Sequence, residues 1–308
     1  MSRDSGPDLS VRIGPLNLRN PVLTASGTFG YGDEYASLVE VSKLGGIVVK
    51  SLTLRPRDGA PPPRLAETPA GMLNAIGLAN IGVDKFLSEK LPYLQGRGTR
   101  VVVSIAGETL EEYEELAGRL DGAEGVDALE VNISCPNVRR GGMLFGADPD
   151  MAFEVLSAVR GATRMPVIAK LTPHASDVVA VAKAAREAGV DAISLINTLV
   201  GMAVDVEARR PKLGNVTGGL SGPAIRPVAV ALVWKVASAV PLPVIGIGGI
   251  SSPEDAIEFL IAGAKAVQVG TATFFEPCTA LWVVDGIAEY MKRHEFRSVE
   301  ELSGSLEV

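Results

Sequence analysis

The chain has 308 residues, 47% of them hydrophobic and only 5% aromatic, with 34 glycines, so small and β-branched side chains must fill its interior, as in a parallel sheet packed against helices. A net charge of −7 argues against a nucleic-acid or membrane-surface protein. Two cysteines without paired spacing, Cys135 and Cys278, exclude a disulfide framework, a zinc ribbon and an iron–sulfur cluster carried by this chain alone, and two distant histidines, His174 and His294, exclude a histidine-based metal site.

Met1 to Leu9 carries charges, Gly and Pro where a signal peptide would be apolar, and no apolar run reaches the length of a transmembrane helix. A soluble chain of a reducing compartment is expected, with the cytoplasm as the default. Leu9 to Ile13, the Gly14-Pro15 turn and Leu16 to Leu18 read as a short hairpin. Eight apolar, β-branched runs follow: Pro21–Ala25, Gly46–Val49, Arg100–Val103, Ala128–Ile133, Pro166–Ala169, Ala192–Ile196, Pro243–Ile247 and Ala266–Val269. Most lead into a helical segment. Asp148-Pro149 opens one such helix with a cap and a first-turn proline. Asp177 to Ala188 has apolar residues at helical spacing and stops at Gly189. Ser252-Pro253-Glu254 begins another helix in the same manner as Asp148-Pro149, ahead of Ala256 to Ala262, with Gly263 at its end. Leu281 to Tyr290 reads as a closing amphipathic helix and Ser298 to Leu302 as a short capped one.

Strand–helix alternation repeated over about 250 residues predicts an α/β fold, a (β/α)8 TIM barrel with an N-terminal hairpin, as a single domain over residues 1–308. The alternative is a doubly wound open sheet, but no Gly-x-Gly-x-x-Gly follows the first strand. Two connections are longer than a barrel requires. Leu52 to Asn74, with Arg55-Pro56-Arg57 and Pro61-Pro62-Pro63, is expected to be an irregular excursion, and Gly201 to Thr217 carries the polar Ala208-Arg-Arg-Pro-Lys212. Both leave C-terminal strand ends, the face on which such barrels carry their chemistry.

Those strand ends hold Ser26, Lys50-Ser51, Ser104, Asn132, Lys170, Asn197-Thr198, Gly248-Gly249 and Gly270-Thr271. Lysines emerging from apolar strands are costly unless they face an anion or an electron-rich group, although a single one could simply reach the rim. Gly246-Ile-Gly-Gly-Ile250 and Gly270-Thr271 open backbone N–H groups to close approach, which suits a phosphate-bearing ligand and equally a tight turn. In Asn132-Ile-Ser-Cys-Pro-Asn137 a lone thiol is flanked by amides. Cys135 is a candidate nucleophile or acid/base, or else a small core hydrophobe, and the asparagines are candidate ligands for an amide-rich small molecule.

Asn132-Ile-Ser-Cys-Pro-Asn137, Asn74-Ala-Ile-Gly-Leu78, Lys170-Leu-Thr-Pro173, Ile196-Asn-Thr198, Thr217-Gly-Gly-Leu-Ser-Gly-Pro-Ala224 and the Gly248-Gly249 and Gly270-Thr271 pairs together resemble dihydroorotate dehydrogenase, in order from about Leu9 to Met291. Cys135, where the membrane-associated class has serine, and the lack of an N-terminal membrane extension resemble the soluble class 1 enzymes. The Gly-Gly-Leu-Ser-Gly-Pro-Ala stretch and the Arg139-Arg-Gly-Gly-Met-Leu-Phe145 loop resemble subclass 1B. The resemblance implies oxidation of (S)-dihydroorotate to orotate by bound FMN in pyrimidine synthesis. Electrons would pass to NAD through a partner subunit with FAD and a [2Fe–2S] cluster, around a homodimer core in a heterotetramer.

By position, the resemblance makes Cys135 the base for the substrate C5 proton while hydride leaves C6 for the flavin. It places Lys50 near both flavin and substrate carboxylate, and Lys170 at the flavin N1/O2 edge. Lys50, Asn74, Ala75, Ile76, Gly77, Leu78, Asn132, Asn137, Asn197 and Thr198 would bind substrate. Ser26, Lys50, Ser51, Ser104, Asn132, Lys170, Ile196, Gly222, Gly248, Gly249, Gly270 and Thr271 would hold FMN, the glycine pairs at its phosphate. Val138 to Phe145 would form a lid hinged at Gly141-Gly142. Ser104 stands where the family usually has an asparagine against FMN. His174 also replaces a usual asparagine and reads as a loop residue, and Cys278 reads as a packing residue. The alternatives are a dihydropyrimidine dehydrogenase-like reductase, a fumarate-dependent subclass 1A enzyme, and a barrel kept only as a scaffold.

Overall fold

The apolar runs form strands whose two faces are both covered. Val22, Leu23, Ile47 to Val49, Val102, Val103, Ala128 and Leu129 are all 0% exposed, which requires packing on each side of the sheet. The computed structural model describes residues 6–35, 37–134, 139–140 and 143–307. Eight strands follow in chain order around a closed barrel: Val22–Thr24, Gly46–Leu52, Arg100–Ile105, Ala128–Asn132, Val167–Lys170, Ala192–Leu195, Val244–Ile247 and Ala266–Val269. Every pairing is parallel and the eighth strand closes on the first. The expected (β/α)8 architecture is present. Between the first two strands, however, the described residues form only 3-10 turns at Asp33–Tyr35 and Val41–Lys43. Phe29, Tyr31, Val39, Val41 and Leu44 join the core from that connection.

The outer helices begin at side chains that satisfy their first N–H groups. Asp148 accepts from Asp150 and Met151 ahead of Pro149–Ala162, and Asp177 from Val179 and Ala180 ahead of Val178–Glu187. Ser252 and Asp255 form a reciprocal capping box in Pro253–Ile261. Gly189 and Gly263, just past the last two helices, take left-handed φ values of 83° and 113°. The closing helix, Thr279–Arg293, extends past the expected Leu281 to Tyr290 at both ends, where Ala280 and Met291 are also buried in the core.

The irregular excursion expected over Leu52 to Asn74 is irregular only as far as Arg64. Leu65–Thr68 and Gly71–Asn74 make a hairpin, which joins Leu199–Gly201 and Gly218–Ser221 in a four-stranded antiparallel sheet. Its strands are only partly buried and bounded by Pro and Gly, so no local apolar pattern announces them; their partners come from the other half of the chain. A second irregularity lies in the barrel itself. The second strand shifts register against the third between Val49 and Leu52, and Lys50 and Ser51 sit within the shift. Such bulges re-aim side chains at barrel rims. Among the described residues no helix is long and apolar enough to cross a membrane.

The hairpin Val11–Ile13/Leu16–Leu18 covers the opposite end of the barrel. A Cβ on Gly14 would lie 2.8 Å from the Asp191 Cβ, just before the sixth strand, and Ile13, Leu16 and Leu18 belong to the main core. Leu18→Ala should therefore cost about 2–5 kcal/mol in chemical denaturation. An unchanged midpoint would show that the hairpin does not seal that end.

Candidate active site

The Glu130 carboxylate is fully buried in the fourth strand. Its Oε1 receives Lys170 Nζ at 3.2 Å, and its Oε2 accepts from Ser194 Oγ at 3.0 Å and Gln268 Nε2 at 2.7 Å. Lys170, 5% exposed, also donates to Ser26 Oγ at 2.9 Å. The fourth and eighth strands are not neighbours, so the Glu130–Gln268 bond crosses the barrel interior. Gln268 Oε1 is buried without a hydrogen-bond partner among the described residues. Removing one member of a buried ion pair typically costs about 3–5 kcal/mol because the other charge is left uncompensated. Glu130, Ser194 and Gln268 were not among the expected site residues. Their signal was a polar residue inside each of three apolar runs, Ala128-Leu-Glu-Val131, Ala192-Ile-Ser-Leu195 and Ala266-Val-Gln-Val269.

Above this layer, Ser51 Oγ and Ser104 Oγ lie 2.8 Å apart, so the short side chain at 104 is satisfied within the protein. Asn132 Oδ1 accepts from Asn197 Nδ2 and from the Ser134 N–H, each at 3.2 Å, while Tyr113 OH holds the Asn132 carbonyl at 2.8 Å. Asn197 Oδ1 in turn accepts the Thr198 N–H at 2.8 Å. Thr198 packs on Gly219, where a Cβ would fall 2.2 Å from Thr198 Oγ1. Asn74 Nδ2 donates to the Gly219 carbonyl at 3.1 Å. Asn132, Asn197, Thr198 and Asn74 thus form one arc, and the small sheet is what brings Asn74 to it. Ala75 to Leu78 continue from Asn74 against the Gly59–Arg64 segment: the Ala75 N–H donates to the Arg64 carbonyl, and the Ile76 carbonyl accepts the Ala60 N–H. Asn80, a further residue missed from sequence, anchors that loop by donating to Thr53 Oγ1 and the Leu78 carbonyl, both at 2.8 Å.

On the far side, Gly222, Gly249 and Thr271 line a cavity of about 410 Å³ with Gly71 and Ser251. A Cβ on Gly249 would lie 2.8 Å from the Gly222 carbonyl oxygen, and Thr271 Oγ1 bonds Ser221 Oγ at 2.8 Å. A Cβ on Gly248 would sit 3.5 Å from Ile196 Cγ1, and one on Gly270 would sit 3.3 Å from Ala25 Cβ. Asp255 accepts the Ser251 and Ser252 N–H groups at 2.8 and 3.0 Å and pairs with Arg226, which clamps the loop after the seventh strand. Hydroxyls and close backbone at a helix start suit a phosphate. With the Lys170 ammonium deeper in the same mouth, these residues fit a phosphate-bearing, electron-accepting cofactor.

Lys50 is half-buried in the bulge. Burial pushes its ammonium below the ordinary lysine value, Arg64 acts in the same direction, and Glu34 opposes both. Cys135, Asn137, Val138 and Gly141-Gly142, expected as base, ligand and lid, lie outside the described residues. His174 Nε2 accepts the Val200 N–H at 3.2 Å, tying the loop after the fifth strand to the small sheet. Cys278 Sγ meets the Leu38 carbonyl at 3.4 Å, away from the arc.

A family model described as dihydroorotate dehydrogenase matches residues 8–291. The chain is 56% identical over 302 residues to the catalytic subunit of dihydroorotate dehydrogenase B (NAD(+)) from Citrifermentans bemidjiense, covering 98% of this chain and 99% of that one. Proteins of the same name from Geotalea uraniireducens and Geobacter sulfurreducens are 56% identical over 300 residues and 54% over 302. They cover 97% and 98% of this chain, and 98% and 99% of theirs.

Lys50 gives the site a pH signature. Its value is lower in the folded than in the unfolded chain, so the folded protein binds fewer protons between the two. The resulting cost to stability is full below the folded value and vanishes as pH rises past the unfolded one. Lys50→Met should raise the denaturation midpoint at neutral pH and lose that gain in strong alkali. An equal gain at both would exclude a desolvated ammonium as its cause.

Proposed function

The chain belongs to the dihydroorotate dehydrogenase family, and on that premise we propose that it oxidises (S)-dihydroorotate to orotate in pyrimidine biosynthesis, with FMN in the barrel mouth and electrons passed on to NAD. The observation that carries this reading is the arc of Asn132, Asn197, Thr198 and Asn74 beside the buried Lys170 ammonium. Bound there, FMN would supply the acceptor for a hydride from substrate C6. The arc offers amide donors and acceptors in the mix that a pyrimidinedione needs. Lys50, re-aimed by the bulge, meets the substrate carboxylate with an ammonium already stripped of part of its water, which strengthens the attraction. Lys170, fixed by Ser26, presents positive charge to the ring. Cys135 takes the C5 proton, one residue after Ser134, whose N–H is anchored on Asn132. Ser51 and Ser104 lie beside the flavin, and Gly222, Gly249 and Thr271 hold its phosphate.

Relatives named as catalytic subunits motivate the partner: an electron-transfer subunit with FAD and a [2Fe–2S] cluster. A homodimer core is supported by four exposed apolar side chains close together in the chain, Val200, Met202, Val204 and Val206. We place the reaction in the cytoplasm, a compartment that suits a chain with only two cysteines and no paired spacing.

The purified protein should be yellow, and (S)-dihydroorotate should bleach it without oxygen; reduction of uracil in place of that bleaching would reassign the substrate. Cys135→Ala should retain flavin but slow its reduction by about 10²–10⁴-fold. Full speed in that variant would remove the thiol from the reaction. NAD reduction by this chain alone would contradict the need for a partner.

A further inference from the structure

Glu130 has no part in the reading above, although three donors hold its carboxylate inside the barrel. It lies two residues before Asn132 on one strand, so both face the same side, Asn132 at the mouth and Glu130 one layer beneath. Three donors from three other strands fix its oxygens: Lys170, Ser194 and Gln268. Stability alone does not account for it, since a buried ion pair rarely outperforms apolar packing of the same volume.

We propose that Glu130 is a positioning residue for the flavin: it fixes the Lys170 ammonium and offsets its charge, keeping the cofactor's reduction potential low enough to release electrons onward. This rests on the reading of Lys170 as the flavin's neighbour. An uncompensated ammonium in a water-poor barrel would strongly favour the negative charge that the ring gains on reduction, and would hold the electrons there. A carboxylate 3.2 Å from that ammonium cancels much of its field while preserving its position over Ser26. An enzyme that hands its electrons to a second carrier needs that balance.

The test is the midpoint potential of the FMN-loaded protein. Glu130→Gln keeps the shape and removes the charge. It should favour binding of reduced over oxidised FMN at least tenfold more than wild type does, a rise of about 30 mV for a two-electron couple. Glu130→Asp should stay nearer wild type than Glu130→Gln. An unchanged or lowered potential in Glu130→Gln, or the reverse order of the two variants, overturns the proposal. If Glu130→Gln does not fold, Ser194→Ala, which leaves the carboxylate its charge but takes away one positive dipole end that offsets it, should lower the potential by a smaller factor, and no change or a rise there overturns the proposal. Lys170→Met separates the two readings. If it lowers the potential while Glu130→Gln changes nothing, only the role of Glu130 falls; if it leaves the potential unchanged, the placement of Lys170 falls and takes the proposal with it.

Discussion

A carboxylate out of reach of water has to be answered by the protein around it, and Glu130 obtains its answers from strands that are not all its neighbours. Its ligands come from the fifth, sixth and eighth strands, and through Lys170 the network reaches Ser26 after the first. One buried charge therefore ties together five of the eight strands by bonds that only a closed barrel can make. The hydrophobic layers around it supply most of the driving force for folding, but they are tolerant of small shifts in register. The polar layer is not, because each misplaced donor would leave part of a buried charge unsatisfied. It is this layer that sets the position of the Lys170 ammonium beneath the mouth.

The mouth itself is built differently. Its arc of amides draws Asn132 and Asn197 from the ends of barrel strands and Asn74 from a sheet that stands on the barrel. That sheet is tied down by polar and steric clasps at the Gly219–Thr198 contact and at His174, and by an apolar cluster of Leu73, Ala75 and Leu213. The mouth thus joins a base fixed by a buried charge to a rim built on the second sheet.

The barrel was legible because its strands are continuous apolar runs, its helices carry side-chain caps, and both signals are local. The strand-end residues followed, since parallel closure sends every C-terminal end to one face. The small sheet was not legible: Leu65–Thr68 pairs with Gly71–Asn74, which pairs with Gly218–Ser221 from the far half of the chain, and no local period encodes such a partner. Glu130 and Gln268 were overlooked for another reason. Attention to strand ends passes over strand centres, where a single polar residue amid valines and alanines is the more unusual feature. Which amide faces which was likewise beyond a linear reading, because Asn132 and Asn197 meet only once the fourth to sixth strands are side by side.

The four-stranded sheet has a consequence for how such a chain can vary over time. Each of its two contributing insertions supplies one edge that the other covers, so shortening either would leave the survivor with bare N–H and C=O groups at the entrance to the site. The two insertions are thus bound to each other's length and register as the halves of a clasp are. Drift in one is permitted only where the other, 145 residues away at the Asn74–Gly219 bond, drifts with it.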